Sequence, residues 1–179
     1  VTDCFAVLGM PRAPWLEAEA LKDRFHRLSA QHHPDAPGGS GAAFTDINAA
    51  WQILRDPAKC LRHYLELEYP DSLAKSGEPP KEFADLFMDI AAFRQAAQRL
   101  ASRLAAATTP LTRAVLEPER IALRKRLEDL GTVVARRTDE NLAALRIGEA
   151  TAETLAAVLS SLVVLGKWRE ILADTRLSL

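Results

Sequence analysis

Apolar residues recur at spacings of three and four along most of this chain, and no stretch alternates convincingly with period two. The first pattern lays a stripe along one side of a helix, whereas the second is what a half-buried strand needs. The chain is therefore expected to be all-α. Its longest seam runs Phe83, Leu86, Ile90, Phe93, Ala97, Leu100 and Leu104, the narrow repeat of a helix packed coiled-coil fashion on its neighbours. Thr108, Thr109 and Pro110 end that helix. A second run follows Pro118 with Leu123, Leu127, Leu130 and Val134, resumes after the polar "RRTDEN" at Leu142 and Leu145, and closes at Gly148. Leu155, Val158, Leu162, Leu165, Trp168 and Leu172 form a third. Three long amphipathic helices with short connections make a small antiparallel bundle.

Ahead of that bundle, "EYPDSLAKSGEPPKEF" breaks every helical period with prolines, Gly77 and polar residues. Pro70 to Pro80 is read as a linker, which divides the chain into 1–69, the linker 70–80, and 81–179. At 179 residues the chain suits two small domains.

The first part begins with a short helix in "TDCFAVLG", with Asp3 as N-cap and Gly9 at its C-terminal stop. A second helix is expected over about 17–33, where Leu21, Phe25, Leu28 and His32 share a core-facing stripe and Arg24, Arg27 and Gln31 share an exposed flank. A third covers about 43–55, with Phe44, Ile47, Trp51 and Leu54 inward. In "RDPAK", Asp56 can cap a fourth helix whose first position suits Pro57. Ala58, Leu61 and Leu65 continue the inward face.

Where the second helix ends, the chain reads "QHHPDAPGGSG". Pro34 cannot continue a helix and pushes His33 out of helical geometry. His33 and Asp35 then face solvent, with no Ser or Cys nucleophile beside them, which is poor geometry for a catalytic dyad. A metal would need convergent ligands, and His32 points to the core. From spacing alone, the stretch is a recognition element or simply a solvated turn.

Composition narrows the classes further. A net charge of -1 leaves no basic excess for nucleic acid. No apolar run reaches the roughly 18 residues a membrane span needs. The opening "VTDCFAVLGM" lacks a basic leader. Cys4 and Cys60 have no CxxC spacing, so each is expected to be a small buried hydrophobe and no metal or other cofactor is implied. A cytoplasmic, reducing location fits this usage.

A short helix ending in "LG", a helix with a basic flank, His33-Pro34-Asp35, a loop, and then "FTDINAAWQILRDPAK" resemble the J-domain of DnaJ-type co-chaperones over about 3–65. The resemblance implies a protein without bond chemistry of its own, which docks on a DnaK-type heat-shock chaperone and speeds its ATP hydrolysis. It implies that Asp35 pairs with an arginine of the chaperone, that His33 makes polar contacts beside it, and that Pro34 fixes their orientation. Arg24 and Arg27 would offer positive charge to an acidic chaperone surface. Three departures stand out: His32 where the family usually has tyrosine, Ala36 where lysine is frequent, and Asp23 interrupting the basic flank.

A J-domain followed directly by three helices, without a glycine-rich segment or zinc-binding cysteines, resembles HscB, the co-chaperone of iron–sulfur cluster assembly. That likeness implies an HscA-type chaperone as partner and a client surface in "LFMDIAAFRQ", where Phe87, Met88, Ala91, Ala92 and Gln95 fall off the seam and would receive an IscU-like scaffold protein. An exposed Phe–Met pair hints at a partner site; packing of both beneath the linker or the J-domain is the other reading. Ala92 and Gln95 replace glutamates of that family, Arg99 carries the opposite sign, and Val164 stands where an aromatic is expected. Two alternatives to the iron–sulfur reading remain: a J-protein with an unrelated client, and a helical interaction scaffold whose J-domain is vestigial. The intact tripeptide argues against the second. An enzyme would need a nucleophile or metal constellation, and the sequence offers neither.

Overall fold

The computed structural model describes residues 2–35, 40–75, 80–146 and 150–178. Ala36, Gly38 and Gly39, Gly77 of the linker, and Gly148 lie outside the described residues. Among those described, the secondary structure is helical: α1 (Cys4–Leu8), α2 (Ala18–His32), α3 (Gly41–Leu54), α4 (Pro57–Glu68), α5 (Ala84–Ala106), α6 (Pro110–Arg146) and α7 (Ala152–Ser178). The described residues have the expected all-α class.

By compactness the chain forms two units. One comprises Val1–Glu78 and Leu142–Ser160, the other Pro79–Asn141 and Ser161–Leu179.

In the first unit, local chemistry sets the helix boundaries. The Asp3 carboxylate accepts from the Phe5 and Ala6 N–H groups, and Gly9 ends α1 at φ +59°, a conformation glycine adopts without a Cβ penalty. Burial alone would raise the Asp3 pKa. The Arg12 hydrogen bond, its charge and the two N–H bonds outweigh this and hold it low. Ser40 caps α3. Asp56 caps α4, with Pro57 in its first turn. The core gathers Cys4, Phe5, Leu8, Leu21, Ile47, Ala50, Leu54 and Cys60, with Phe25 stacked on Trp51 at 4.5 Å. The linker stretch Pro70–Lys75 winds into a 3₁₀ helix, so Pro70 starts a turn and does not leave the stretch extended.

The histidine of this core is His63, 4% exposed. His32, expected there, is only half-buried. His63 accepts the Cys4 N–H through Nε2 at 3.0 Å and stacks on Phe5 at 5.5 Å. Cys4 is the first residue of α1, where a backbone N–H has no partner inside the helix, and His63 supplies one from 59 residues away.

The second unit is built on the predicted seam. Phe83, Ile90, Phe93, Ala97 and Leu100 are buried with Leu127, Leu130, Val134, Leu165, Trp168 and Leu172. The second bundle helix differs from its sequence reading. Rather than starting after Pro118, α6 begins at Pro110 and carries Pro118 inside it. Thr109 and Thr112 exchange reciprocal side-chain-to-backbone hydrogen bonds at its N-terminus, an arrangement equivalent to a capping box. Arg113 reaches back to the Ala107 carbonyl, Arg103 pairs with Glu119, and Leu116 is buried in the core. These contacts hold the first two turns despite the backbone hydrogen bond that Pro118 cannot donate.

Replacing His63 by Phe keeps the ring's stacking on Phe5 but strands the buried Cys4 N–H. The expected loss is about 1–3 kcal/mol of stability, read by urea denaturation; an unchanged midpoint would show that the hydrogen bond carries no weight.

Candidate functional site

Two surfaces bring the predicted residues together. The first is the turn at the C-terminal end of α2. His33 takes φ -56° and ψ 137°, the extended geometry that a following proline imposes. Its side chain is 50% exposed and that of Asp35 is 90% exposed. The Asp35 backbone N–H donates to His33 Nδ1 at 3.2 Å, and the same nitrogen lies 3.5 Å from Asp35 Oδ2. The His33 ring is thereby tied to the turn, and the Asp35 side chain stands largely in solvent. Phe44 of α3 meets the His33 ring edge-on at 5.3 Å, which the sequence reading missed because it assigned Phe44 to the inward face alone.

The two arginines separate. Arg27 is exposed as expected. Arg24 is not: it is half-buried, and its Nε donates to the Leu8 carbonyl at 2.8 Å. Its guanidinium lies so close to Gly9 that a Cβ there would stand 2.3 Å from Nη2. Arg24 therefore satisfies the C-terminal end of α1, where a cation is favourable, and the basic flank of α2 is thinner than its sequence suggests.

The second surface lies on the second unit. Phe87 is 56% exposed and Met88 66% exposed. With Phe83, Val164 and Trp168 they line an apolar groove of about 490 Å³ between α5 and α7. Ala92 and Gln95 continue exposed along α5, while Ala91 is half-buried.

Among the described residues, no three His, Cys, Asp or Glu side chains gather to hold a metal. Both thiols are buried and free. Burial pushes Cys60 up to about 12, with Asp56 and Cys4 adding to the effect, and also raises Cys4. The reactive thiolate is thereby disfavoured. No helix among the described residues is long and apolar enough to cross a membrane.

A helix pair joined by an exposed His-Pro-Asp turn, braced by a short capped helix, agrees with the comparisons. The family model described as DnaJ domain matches residues 3–64. Residues 3–64 are a DnaJ domain. Over 60 residues the chain is 37% identical to a chaperone protein DnaJ of Caulobacter vibrioides, covering 32% of this chain and 15% of that one. It is 35% identical over 91 residues to a chaperone protein DnaJ of a Roseiflexus species, covering 49% and 24%. The chain thus spans at most about a quarter of the length of these curated relatives. Among solved structures it is similar to the chaperone HscB from Vibrio cholerae, with a TM-score of 0.61 and 20% identity over 98% of each chain. The chain has the HscB fold, a J-domain followed by a C-terminal helical bundle.

The two arginines of the DnaJ domain should respond oppositely. Arg24→Ala should cost about 1–3 kcal/mol by leaving the Leu8 carbonyl without its charged donor. Arg27→Ala should leave the melting temperature within a degree or so of wild type, as exposed substitutions do. Thermal denaturation of the pair checks this, and equal losses would contradict the assignment.

Proposed function

We propose that the chain is a co-chaperone. Its J-domain, 1–69, docks on a DnaK- or HscA-type heat-shock chaperone and stimulates its ATPase, while the linker 70–80 leads to a client-binding bundle, 81–179. The observation that carries this reading is the Asp35 carboxylate, 90% exposed on a turn whose His33 ring is tied to the backbone and meets Phe44. A carboxylate so placed can form a charge-assisted bidentate pair with a partner arginine. Arg27 adds steering charge beside it. Pro34 sets the angle between the two polar side chains, and Arg24 acts within the domain to hold α1. In this role the chain catalyses no bond change, carries no cofactor, and acts in the cytoplasm without nucleic acid or membrane.

The groove at Phe87 and Met88, continued by Ala91, Ala92 and Gln95, is the client site in this reading. The HscB fold supports an IscU-like iron–sulfur scaffold as client. One observation favours a different client: the exposed positions Ala92, Gln95 and Arg99 present no carboxylate, where the HscB resemblance places acidic ones.

Asp35→Asn should abolish stimulation in single-turnover ATP hydrolysis by the organism's own heat-shock chaperones without changing the circular dichroism spectrum or melting temperature. Retained stimulation would refute the docking assignment. Replacing Phe87 and Met88 together by Ser should weaken client binding with little loss of stability. A loss of about 2–5 kcal/mol, the cost of core truncation, would instead mark them as packing residues.

A further inference from the structure

The groove between α5 and α7 has a charge pattern as well as an apolar lining. Two charged residues contribute to it, Lys81 and Lys167, both cations and both exposed. Among the described residues neither has an ion-pair partner. The nearby carboxylates do not cancel them at the groove. Glu82 and Asp85 stand outside its lining, and Asp89 is held by Arg126 at 2.7 Å. Along α5, Met88, Ala92, Gln95 and Arg99 follow at spacings of four, three and four, so one stripe leads from the apolar lining to a third exposed cation.

Resting on the reading of this groove as the client site, we infer that it selects a segment of a partner protein with apolar anchor residues flanked by aspartate or glutamate. A channel between two helices, lined by Phe87, Met88, Val164 and Trp168, fits the apolar face of an amphipathic helix. At about 490 Å³ its volume is within the range of pockets that bury most of an inserted group. The apolar contacts supply affinity. The cations decide which apolar helices are accepted, since a basic flank would meet like charge and an acidic one would be drawn in.

The test uses fluorescein-labelled helical peptides with one Leu/Phe face, differing only in whether their flanks carry Glu, Gln or Lys. Binding to the full chain is followed by anisotropy. The Glu peptide should bind roughly 10-fold or more tighter than the Lys peptide at low salt, and most of that margin should vanish at about 0.5 M salt. In K81E/K167E the order should reverse, whereas F87S/M88S should bind none of the three. Equal binding of the Glu and Lys peptides, or a preference unchanged in K81E/K167E, overturns the charge inference while leaving a client site that depends on Phe87 and Met88. Binding of no peptide, or binding indifferent to F87S/M88S, overturns both. A dimer in sedimentation equilibrium that F87S/M88S dissolves would place a second copy in the groove and likewise overturn the inference.

Discussion

A five-residue helix cannot hold itself together in water, because nucleation fixes several residues for one hydrogen bond. The N-terminal unit depends on how α1 is held. At its start, Asp3 takes two backbone N–H groups and His63 takes that of Cys4. At its end, Arg24 takes the Leu8 carbonyl and lies against Gly9. Phe5 and Leu8, fully buried, then project from a fixed backbone into the space between the larger helices. The glycine is needed twice, for its positive φ and for the absence of a Cβ that the Arg24 guanidinium would meet. The charged residue of α2 that looks most available for a partner is thus spent on the fold.

That expenditure leaves the docking turn dependent on local geometry. Pro34 forces His33 into extended backbone, which brings its Nδ1 within reach of the Asp35 N–H. Phe44 meets the ring edge-on from the neighbouring helix. The short turn thus presents one polar side chain tied to its own backbone and to a neighbouring ring, and a second, Asp35, whose carboxylate is 90% exposed.

Much of this was legible in the residues because it is local. The three-and-four spacing gave the seam of α5, and Asp3, Gly9, Asp56 and Pro57 marked helix ends through contacts a few residues long. Most of the misreadings are of longer range. Arg24 sits at a helical position that periodicity assigns to solvent, but a carbonyl 16 residues earlier claims it. His63 and Cys4 are 59 apart, and nothing in either neighbourhood announces the pairing. The apolar run legible in the sequence follows Pro118, which lies inside α6. The actual start was written in Thr109 and Thr112, a threonine pair less conspicuous than the proline. Phe44 was placed on the correct helix, with its contact to His33 invisible until α2 and α3 were set side by side.

The two surfaces differ in a way that suits their proposed tasks. At the turn the exposed side chains are polar, so a partner held there as proposed would be sensitive to ionic strength. At the groove, Phe87 and Met88 offer exposed apolar area that salt does not weaken, and under the inference above Lys81 and Lys167 contribute discrimination more than strength. Raising salt should therefore release a partner at the turn before it releases an apolar segment from the groove. The order of release follows from the chemistry of each surface alone and requires no particular arrangement of the two units.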